Sequence, residues 1–136
     1  MPGPRVFELH QADRLLPRVE EVLCEMDRLR ARMKEVKLRL DALEMIWGSG
    51  LREADNPDRG ELEHHLGQMK QIEREFEICT RSIAELGGHL KRARPALVDF
   101  YGVREGRLVF WCWRRGEKGI SGWHHIDEGF AERQRV

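Results

Sequence analysis

One short stretch near the end of the chain, residues 110–130, concentrates the side chains that could carry chemistry. It holds a cysteine, two adjacent histidines and several carboxylates, interleaved with tryptophans. Thiolate and imidazole groups suit zinc, while carboxylate with imidazole suits zinc, manganese or iron. With one aspartate from further upstream, the candidate ligands for a divalent metal are Asp99, Cys112, Glu117, His124, His125 and Asp127.

The strand period narrows this ligand set. Neighbours along a strand point to opposite faces, so at most one of His124 and His125 can join a given site. In an antiparallel meander Asp99, Cys112 and His124 could lie level, and they are the predicted ligands for zinc or manganese. No recognised ligand spacing is present, however. A histidine beside a tryptophan and a cysteine between tryptophans are also typical of a packed core, so both interpretations stay open.

Cys112 is a weak candidate for a nucleophile. A histidine close to it could form a thiolate pair with it. Its predicted position in the middle of a strand, with no oxyanion loop and no third orienting group evident, argues against that role.

The segment RLVFWCWRR indicates a further possibility, an RNA-binding or ribosome-associated surface. Aromatic rings on a sheet could stack on bases while nearby arginines contact phosphates. Those arginines would be Arg104, Arg107, Arg114 and Arg115. No RNP-like motif is present. With 24 basic and 24 acidic residues, the chain is also not a globally basic nucleic-acid binder.

The N-terminal half carries the elements that must position these residues. Apolar side chains recur in steps of three and four, which predicts a helix over residues 18–47 with a heptad stripe. The stripe is Val19, Val22, Met26, Leu29, Met33, Val36, Leu40, Leu43 and Trp47. Pro17 fits the first turn of this helix, where no backbone donor is needed.

A second apolar stripe predicts a helix over residues 59–86. Its members are Leu62, Leu66, Met69, Ile72, Phe76, Cys79, Ile83 and Leu86, with one irregular step at Met69 to Ile72. His64 and His65 are expected on the surface. A short linker joins the two helices, so residues 1–88 should form a coiled-coil-like antiparallel helical hairpin.

After residue 88 the pattern changes to the composition of strands. Segments 97–102, 107–114 and 120–126 predict a small antiparallel three-stranded meander sheet in residues 89–136. The fold class is therefore α+β, with both parts forming one structural unit. The helical stripes are narrow and both sheet faces look apolar, so we expect a homodimer through the hairpin, the sheet or both.

Cysteine usage and hydropathy bear on the compartment. The three cysteines, Cys24, Cys79 and Cys112, are odd in number and widely spaced, which fits free thiols in a reducing cytoplasm. No apolar run is long enough to span a bilayer, and no signal peptide pattern opens the chain. We therefore expect a cytoplasmic protein.

The C-terminal segment LVDFYGVREGRLVFWCWRRGEKGISGWHHIDEGFAERQRV resembles the corresponding block of a prokaryotic family, domain of unknown function 2203. The matching positions are Leu97, Val98, Asp99, Phe100, Gly106, Arg107, Cys112, Trp113, Gly116, Glu117, Trp123, His124, Gly129, Phe130 and Arg133. FELHQADRLLP also looks like the family's opening, so the resemblance covers nearly the whole chain. Asp13 stands where asparagine is expected. Ala96 replaces an expected glycine, which argues against a special backbone angle there.

The resemblance implies no reaction, but it sharpens the candidate site. Its polar members are Asp99, Glu117, His124 and Arg133, which packing alone would not require, so they are the candidate catalytic residues. The sequence favours a cytoplasmic dimeric scaffold or protein-interaction module with this polar cluster on its sheet. The alternatives are a metal-dependent enzyme or metal-binding protein using Asp99, Cys112, Glu117 and His124, and the RNA- or ribosome-associated protein.

Overall fold

The computed structural model describes residues 5–136 as two long helices followed by an antiparallel sheet, so the α+β class is confirmed. Helix α1 spans Leu9–Trp47, a 3-10 helix covers Gly48–Arg52, and helix α2 spans Arg59–Glu85. Over the described residues, neither helix has a stretch apolar enough to cross a lipid bilayer.

Helix α1 begins at Leu9, well before the predicted start, and Pro17 lies inside it. The placement of Pro17 in the first turn is therefore wrong. A proline inside a helix removes one hydrogen bond to the carbonyl four residues earlier. Ala12 and Leu16, both buried, continue the apolar face ahead of the proline. Their burial offsets the missing hydrogen bond and extends the helix towards the N-terminus.

Residues Cys24–Cys79 form one compact unit, the helical unit. Within it the two helices pack side by side in opposite directions. Near one end the guanidinium of Arg30 lies over the Phe76 ring at 5.2 Å. Near the other end Leu43, Leu51 and Leu62 form a buried cluster. Four members of the stripe predicted for α1, Met26, Leu29, Val36 and Leu43, are buried in this unit, whereas Trp47 at the end of that stripe is 37% exposed.

The stripe of α2 is more regular than predicted, because His65 replaces Leu66 in it. His65 is only 5% exposed, whereas Leu66 is 43% exposed. The steps from Leu62 through His65 and Met69 to Ile72 are then three, four and three residues, so the irregular step disappears. The expectation of a surface His65 is wrong. Its Nδ1 pairs with Gln68 Oε1 at 2.9 Å, which satisfies one ring nitrogen locally.

Of the described residues, 5–23 and Thr80–Val136 form the second compact unit, the sheet unit. Its five strands are β1 Gly88–Ala93, β2 Ala96–Arg104, β3 Arg107–Arg114, β4 Gly122–His125 and β5 Gln134–Arg135, in that spatial order. The prediction of three strands is therefore too few. The two missed strands are the edges of the sheet, and most of their residues are exposed. Exposed edge strands lack the apolar alternation that sequence reasoning uses.

The two faces of the sheet differ in chemistry. One face packs Phe100 against Phe7, with ring centroids 5.7 Å apart, and Trp111 donates its indole N–H to the Phe7 carbonyl at 2.8 Å. Gly102 makes room for this tryptophan, because an added Cβ would lie 2.1 Å from Trp111 Nε1. The opposite face carries Asp99, and its other polar residues build the candidate site.

Candidate metal centre

Strand pairing brings the three predicted ligands together. Asp99 on β2 and Cys112 on β3 are direct cross-strand partners. His124 on β4 pairs with Phe110, which lies two residues before Cys112 and therefore on the same face. One donor atom from each of Asp99, Cys112 and His124 lies within 4.8 Å of the other two. The group thus draws one ligand from each of three consecutive strands.

All three side chains are sealed from solvent. Asp99, Cys112 and His124 are 2%, 1% and 2% exposed. The ring of Phe110, itself buried, lies 5.6 Å from the imidazole of His124, centroid to centroid. The cluster is therefore a buried group of polar side chains inside the sheet unit, and the described residues leave no open path by which a substrate could reach it.

The hydrogen bonds of His124 fix its tautomer. Nδ1 lies 2.8 Å from the carbonyl oxygen of His125. A carbonyl can only accept, so Nδ1 carries a hydrogen. Nε2 faces Asp99 Oδ2 at 3.1 Å, with both side chains 3% exposed. Two lone pairs cannot face each other at that distance in a buried site, so a proton or a cation must lie between them.

The second oxygen of Asp99 lacks a partner among the described residues. Asp99 Oδ1 is buried and accepts no hydrogen bond in this part of the chain. A buried carboxylate oxygen without a partner is costly and uncommon in folded proteins. This oxygen belongs to the same group as the Cys112 thiol and the His124 imidazole, so the cluster contains an acceptor without a donor among the described residues.

Cys112 is a neutral thiol in the surroundings described. Burial raises the pKa of Cys112, and the charge of Asp99 and a hydrogen bond to it raise that pKa further. The charge of Arg133 opposes this rise but does not cancel it. A thiol with a raised pKa is a poor nucleophile. A bound metal cation would reverse this preference, because thiolate is the form that coordinates metals.

Glu117 does not join this group. Its carboxylate accepts hydrogen bonds from Arg133 Nη1 at 2.9 Å, from the Arg114 backbone N–H at 2.8 Å and from Ser121 Oγ at 3.0 Å. Burial alone would raise the pKa of Glu117, but these three hydrogen bonds together lower it. Glu117 is thus a carboxylate held by its own donors, and it lies outside the group formed by Asp99, Cys112 and His124.

Arg133 connects Glu117 to the buried cluster. Its guanidinium pairs with Glu117 and also interacts with Cys112. The aliphatic stem crosses Gly122, where an added Cβ would lie 2.3 Å from both Arg133 Cγ and Cδ. Gly122 is the cross-strand partner of Cys112, so the absent side chain lets Arg133 approach the thiol.

His125 lies on the opposite face, as strand alternation predicts for the neighbour of His124. Its ring makes an edge contact with Trp123, with centroids 5.2 Å apart. Asp127 follows β4 in an exposed turn. Neither residue belongs to the group of three donors.

The tryptophans of the sheet do not form an exposed stacking surface. Trp111, Trp113 and Trp123 are 6%, 4% and 8% exposed. Their indole N–H groups donate to the backbone carbonyls of Phe7, Glu117 and Arg135, respectively. Rings buried in this way are not available for stacking on bases.

The arginines proposed as phosphate contacts include two with partners inside the sheet unit. Arg115 Nε pairs with Glu20 Oε2 at 2.8 Å. The guanidinium of Arg104 lies over the Trp123 ring at 4.8 Å. These contacts support the sheet rather than present its charges to an external anion.

Two polar residues of the sheet unit were not identified as candidates from the sequence. His89 is the cross-strand partner of Asp99, but β1 was not predicted, so it was not considered. Burial and then Lys91 lower the pKa of His89, against the opposing charge of Asp99. Asp13 accepts the backbone N–H of Ile120 at 2.7 Å and so fixes the loop before β4. No short-range signal in the sequence indicates that long-range contact.

Comparison with known proteins agrees with the resemblance noted from the motifs. Searches of curated proteins and of solved structures found no significant match. A family model described as "uncharacterized conserved protein (DUF2203)" matches residues 5–136, and that description names no activity. The match spans almost the entire chain, including all three buried donors. The chain therefore belongs to the DUF2203 family of uncharacterized conserved proteins.

Proposed function

We propose that this protein binds one zinc ion, or a similar divalent transition metal, through Asp99, Cys112 and His124. The observation that carries the proposal is the convergence of three buried donor atoms within 4.8 Å of one another, one each from Asp99, Cys112 and His124. A proton shared between His124 Nε2 and Asp99 Oδ2 would account for their 3.1 Å contact but would leave Asp99 Oδ1 without a partner among the described residues. A metal ion in the group would be bound by a thiolate, an imidazole and a carboxylate, which are all good metal donors.

The hydrogen bond at the other ring nitrogen supports this role. Histidines that bind metals almost always donate their second ring N–H to a carboxylate, a water or a backbone carbonyl. His124 donates Nδ1–H to the carbonyl of His125 at 2.8 Å, which directs the lone pair of Nε2 into the cluster. The imidazole is thus already in the tautomer that a metal needs.

The mixture of donor atoms favours zinc over manganese. A sulfur, an imidazole nitrogen and a carboxylate oxygen form a set that zinc binds readily, whereas manganese prefers sites built of oxygen. Donor atoms in a tetrahedral zinc site are about 3.5 Å apart, and the three donor atoms here lie within 4.8 Å of one another, so small shifts would bring them to zinc-binding distances. Asp99 Oδ1, which lacks a partner among the described residues, would let this carboxylate bind the ion through both oxygens.

Burial favours a structural metal over a catalytic one. Catalytic zinc keeps one position open for water and substrate, whereas structural sites are closed. With Asp99, Cys112 and His124 at most 2% exposed, substrate access is absent and the metal would tie strands β2, β3 and β4 together. Such a tie adds binding free energy to the stability of a small sheet.

Metal analysis of the full-length protein, purified under reducing conditions and then supplied with zinc, tests the proposal. We expect about one zinc per chain and a thermal midpoint that falls on chelation and recovers on adding zinc. With cobalt instead, we expect charge-transfer absorption from a thiolate ligand. Substoichiometric zinc after reconstitution, together with an unchanged midpoint in chelator, would overturn the proposal.

Three single substitutions and two controls identify the ligands. Asp99→Asn, Cys112→Ser and His124→Gln should each weaken zinc binding by about tenfold or more, and Cys112→Ser should abolish the cobalt charge-transfer band. The matched controls are His125→Gln, on the opposite face, and Cys24→Ser, an exposed thiol. Both controls should bind metal as the unsubstituted protein does. Equal loss in the controls would show that the metal binds elsewhere.

A further inference from the structure

Helix α1 carries a second apolar stripe, on the side opposite the one that packs against α2. Leu38, Met45 and Ile46 are 60%, 88% and 68% exposed, and Ala42 between them is exposed as well. Spacings of four, three and one residues keep these side chains on one side of a helix. A cluster of exposed apolar residues on a polar helix is a feature of interaction surfaces.

The charges along one edge of this outer stripe have a definite order. Lys34, Lys37, Asp41 and Glu44 are all exposed and follow one edge of the stripe in steps of three and four residues. Along this edge, two positive charges are therefore followed by two negative charges. In an antiparallel pair of identical helices the positive half of each edge lies opposite the negative half of the other.

We infer that a second copy of this chain docks antiparallel on the outer stripe of α1, about a two-fold axis between Lys37 and Asp41. Lys34 then pairs with Glu44 of the second copy and Lys37 with its Asp41, each pair occurring twice. Leu38 packs against Ala42 of the second copy, whose small side chain permits a close approach. Met45 covers the aliphatic stem of Lys34 across the interface.

The order of the charges selects a second copy over an unrelated partner. A surface that is complementary to itself about a two-fold axis needs no other protein to satisfy its charges. Within the single chain, Glu44 Oε1 pairs with Arg52 Nη1 at 3.3 Å, and both side chains are exposed. An exposed pair of this kind exchanges at little cost, so it does not block the interface.

Charge reversal provides a sharp experiment, because it can both break and restore the interface. Sedimentation equilibrium on the full-length protein should show a dimer at micromolar concentration. Lys34→Glu with Lys37→Glu leaves four negative charges along the edge, and Asp41→Lys with Glu44→Lys leaves four positive charges. Each double variant alone should raise the dimer dissociation constant about tenfold or more. An equimolar mixture of the two should recover the dimer as a heterodimer.

Controls keep a folding defect distinct from a lost interface. Circular dichroism must show unchanged helix content in each double variant. Lys70→Glu with Glu73→Lys reverses exposed charges on α2 and should leave the dimer intact. A monomeric unsubstituted protein overturns the inference, as does a dimer unaffected by both double variants or a mixture that fails to associate. Zinc content is measured separately, because this surface shares no residue with the buried cluster.

Discussion

His124 and Asp99 form a buried pair that bridges β4 and β2 across β3, with 3.1 Å between Nε2 and Oδ2. The residues are twenty-five positions apart in the chain, and each side chain is 3% exposed. The pair is therefore a long-range contact that exists only when the central strands have assembled. Its energetics can be measured apart from metal binding.

In chelator, His124→Leu should lower the free energy of unfolding by about 3–5 kcal/mol, because it leaves the Asp99 carboxylate buried without its partner. Asp99→Leu with His124→Leu together should cost less than His124→Leu alone, since no charge then stays buried. Denaturant unfolding measures both. His125→Leu is the matched control, with a smaller expected loss. If the stability loss of the double variant equalled the sum of the losses of Asp99→Leu and His124→Leu, the two side chains would not be energetically coupled.

The lowered pKa of Glu117 makes the free energy of unfolding fall at acid pH. That pKa is lowered in the folded protein below the ordinary value of 4.5. The contribution of Glu117 is therefore fully present above pH 4.5 and is lost as the pH falls through the lower folded value. Unfolding titrations from ~pH 6 to ~pH 3 should show less acid destabilisation in Glu117→Gln than in the unsubstituted protein. The exposed Glu53→Gln should not change the profile, and a parallel profile for Glu117→Gln would refute this account.

Gly122 should be intolerant of even a methyl group. An added Cβ would lie 2.3 Å from Arg133 Cγ and Cδ, so Gly122→Ala should cost about 1–3 kcal/mol of stability. Adding Arg133→Ala should remove most of that extra cost, because the clashing atoms are gone. The control is Gly67→Ala inside α2, where nothing lies within 4 Å. Gly67→Ala should stabilise the protein by about 0.5–1 kcal/mol. Equal effects at the two glycines would exclude the steric explanation.

His65 should lower the free energy of unfolding compared with an apolar residue at the same position in the core of the helical unit. Its Nε2 is buried without a hydrogen bond among the described residues and lies 3.5 Å from Glu61 Oε1, a long contact with an exposed carboxylate. His65→Leu places an apolar side chain at a heptad position and should raise the free energy of unfolding by about 1 kcal/mol. His64→Leu, at an exposed neighbour, should change it by less than about 0.5 kcal/mol. A destabilised His65→Leu would instead indicate that the imidazole makes a needed contact.

The convergence of the three donors follows from features that the sequence contains. Strands β2 and β3 are rich in apolar and aromatic residues, and the tight Glu105-Gly106 turn fixes their pairing, so Asp99 and Cys112 come level. Alternation along β4 then separates His124 from His125. These inferences depend on local periodicity, which tertiary packing did not override.

The edge strands, the early start of α1 and the burial of His65 did not follow from the sequence. The first two depend on tertiary packing that overrides a local preference. Strand β1 has the polar sequence GHLKRA and is held by pairing with β2. Helix α1 continues through Pro17 because the preceding turns bury apolar residues. His65 lies in the stripe because helix geometry, not residue type, decides which side chain faces inward.

The pairing of β2, β3 and β4 makes the cluster sensitive to the register of these strands. A slip of one residue between two strands turns every side chain of the slipped strand to the other face. Sliding β3 by one residue would present Trp111 or Trp113 where Cys112 stands, leaving Asp99 and His124 with an indole instead of a thiol. Only one alignment of the three strands brings sulfur, nitrogen and oxygen together. A metal that requires all three donors would therefore distinguish the correctly aligned sheet from each of its shifted alternatives.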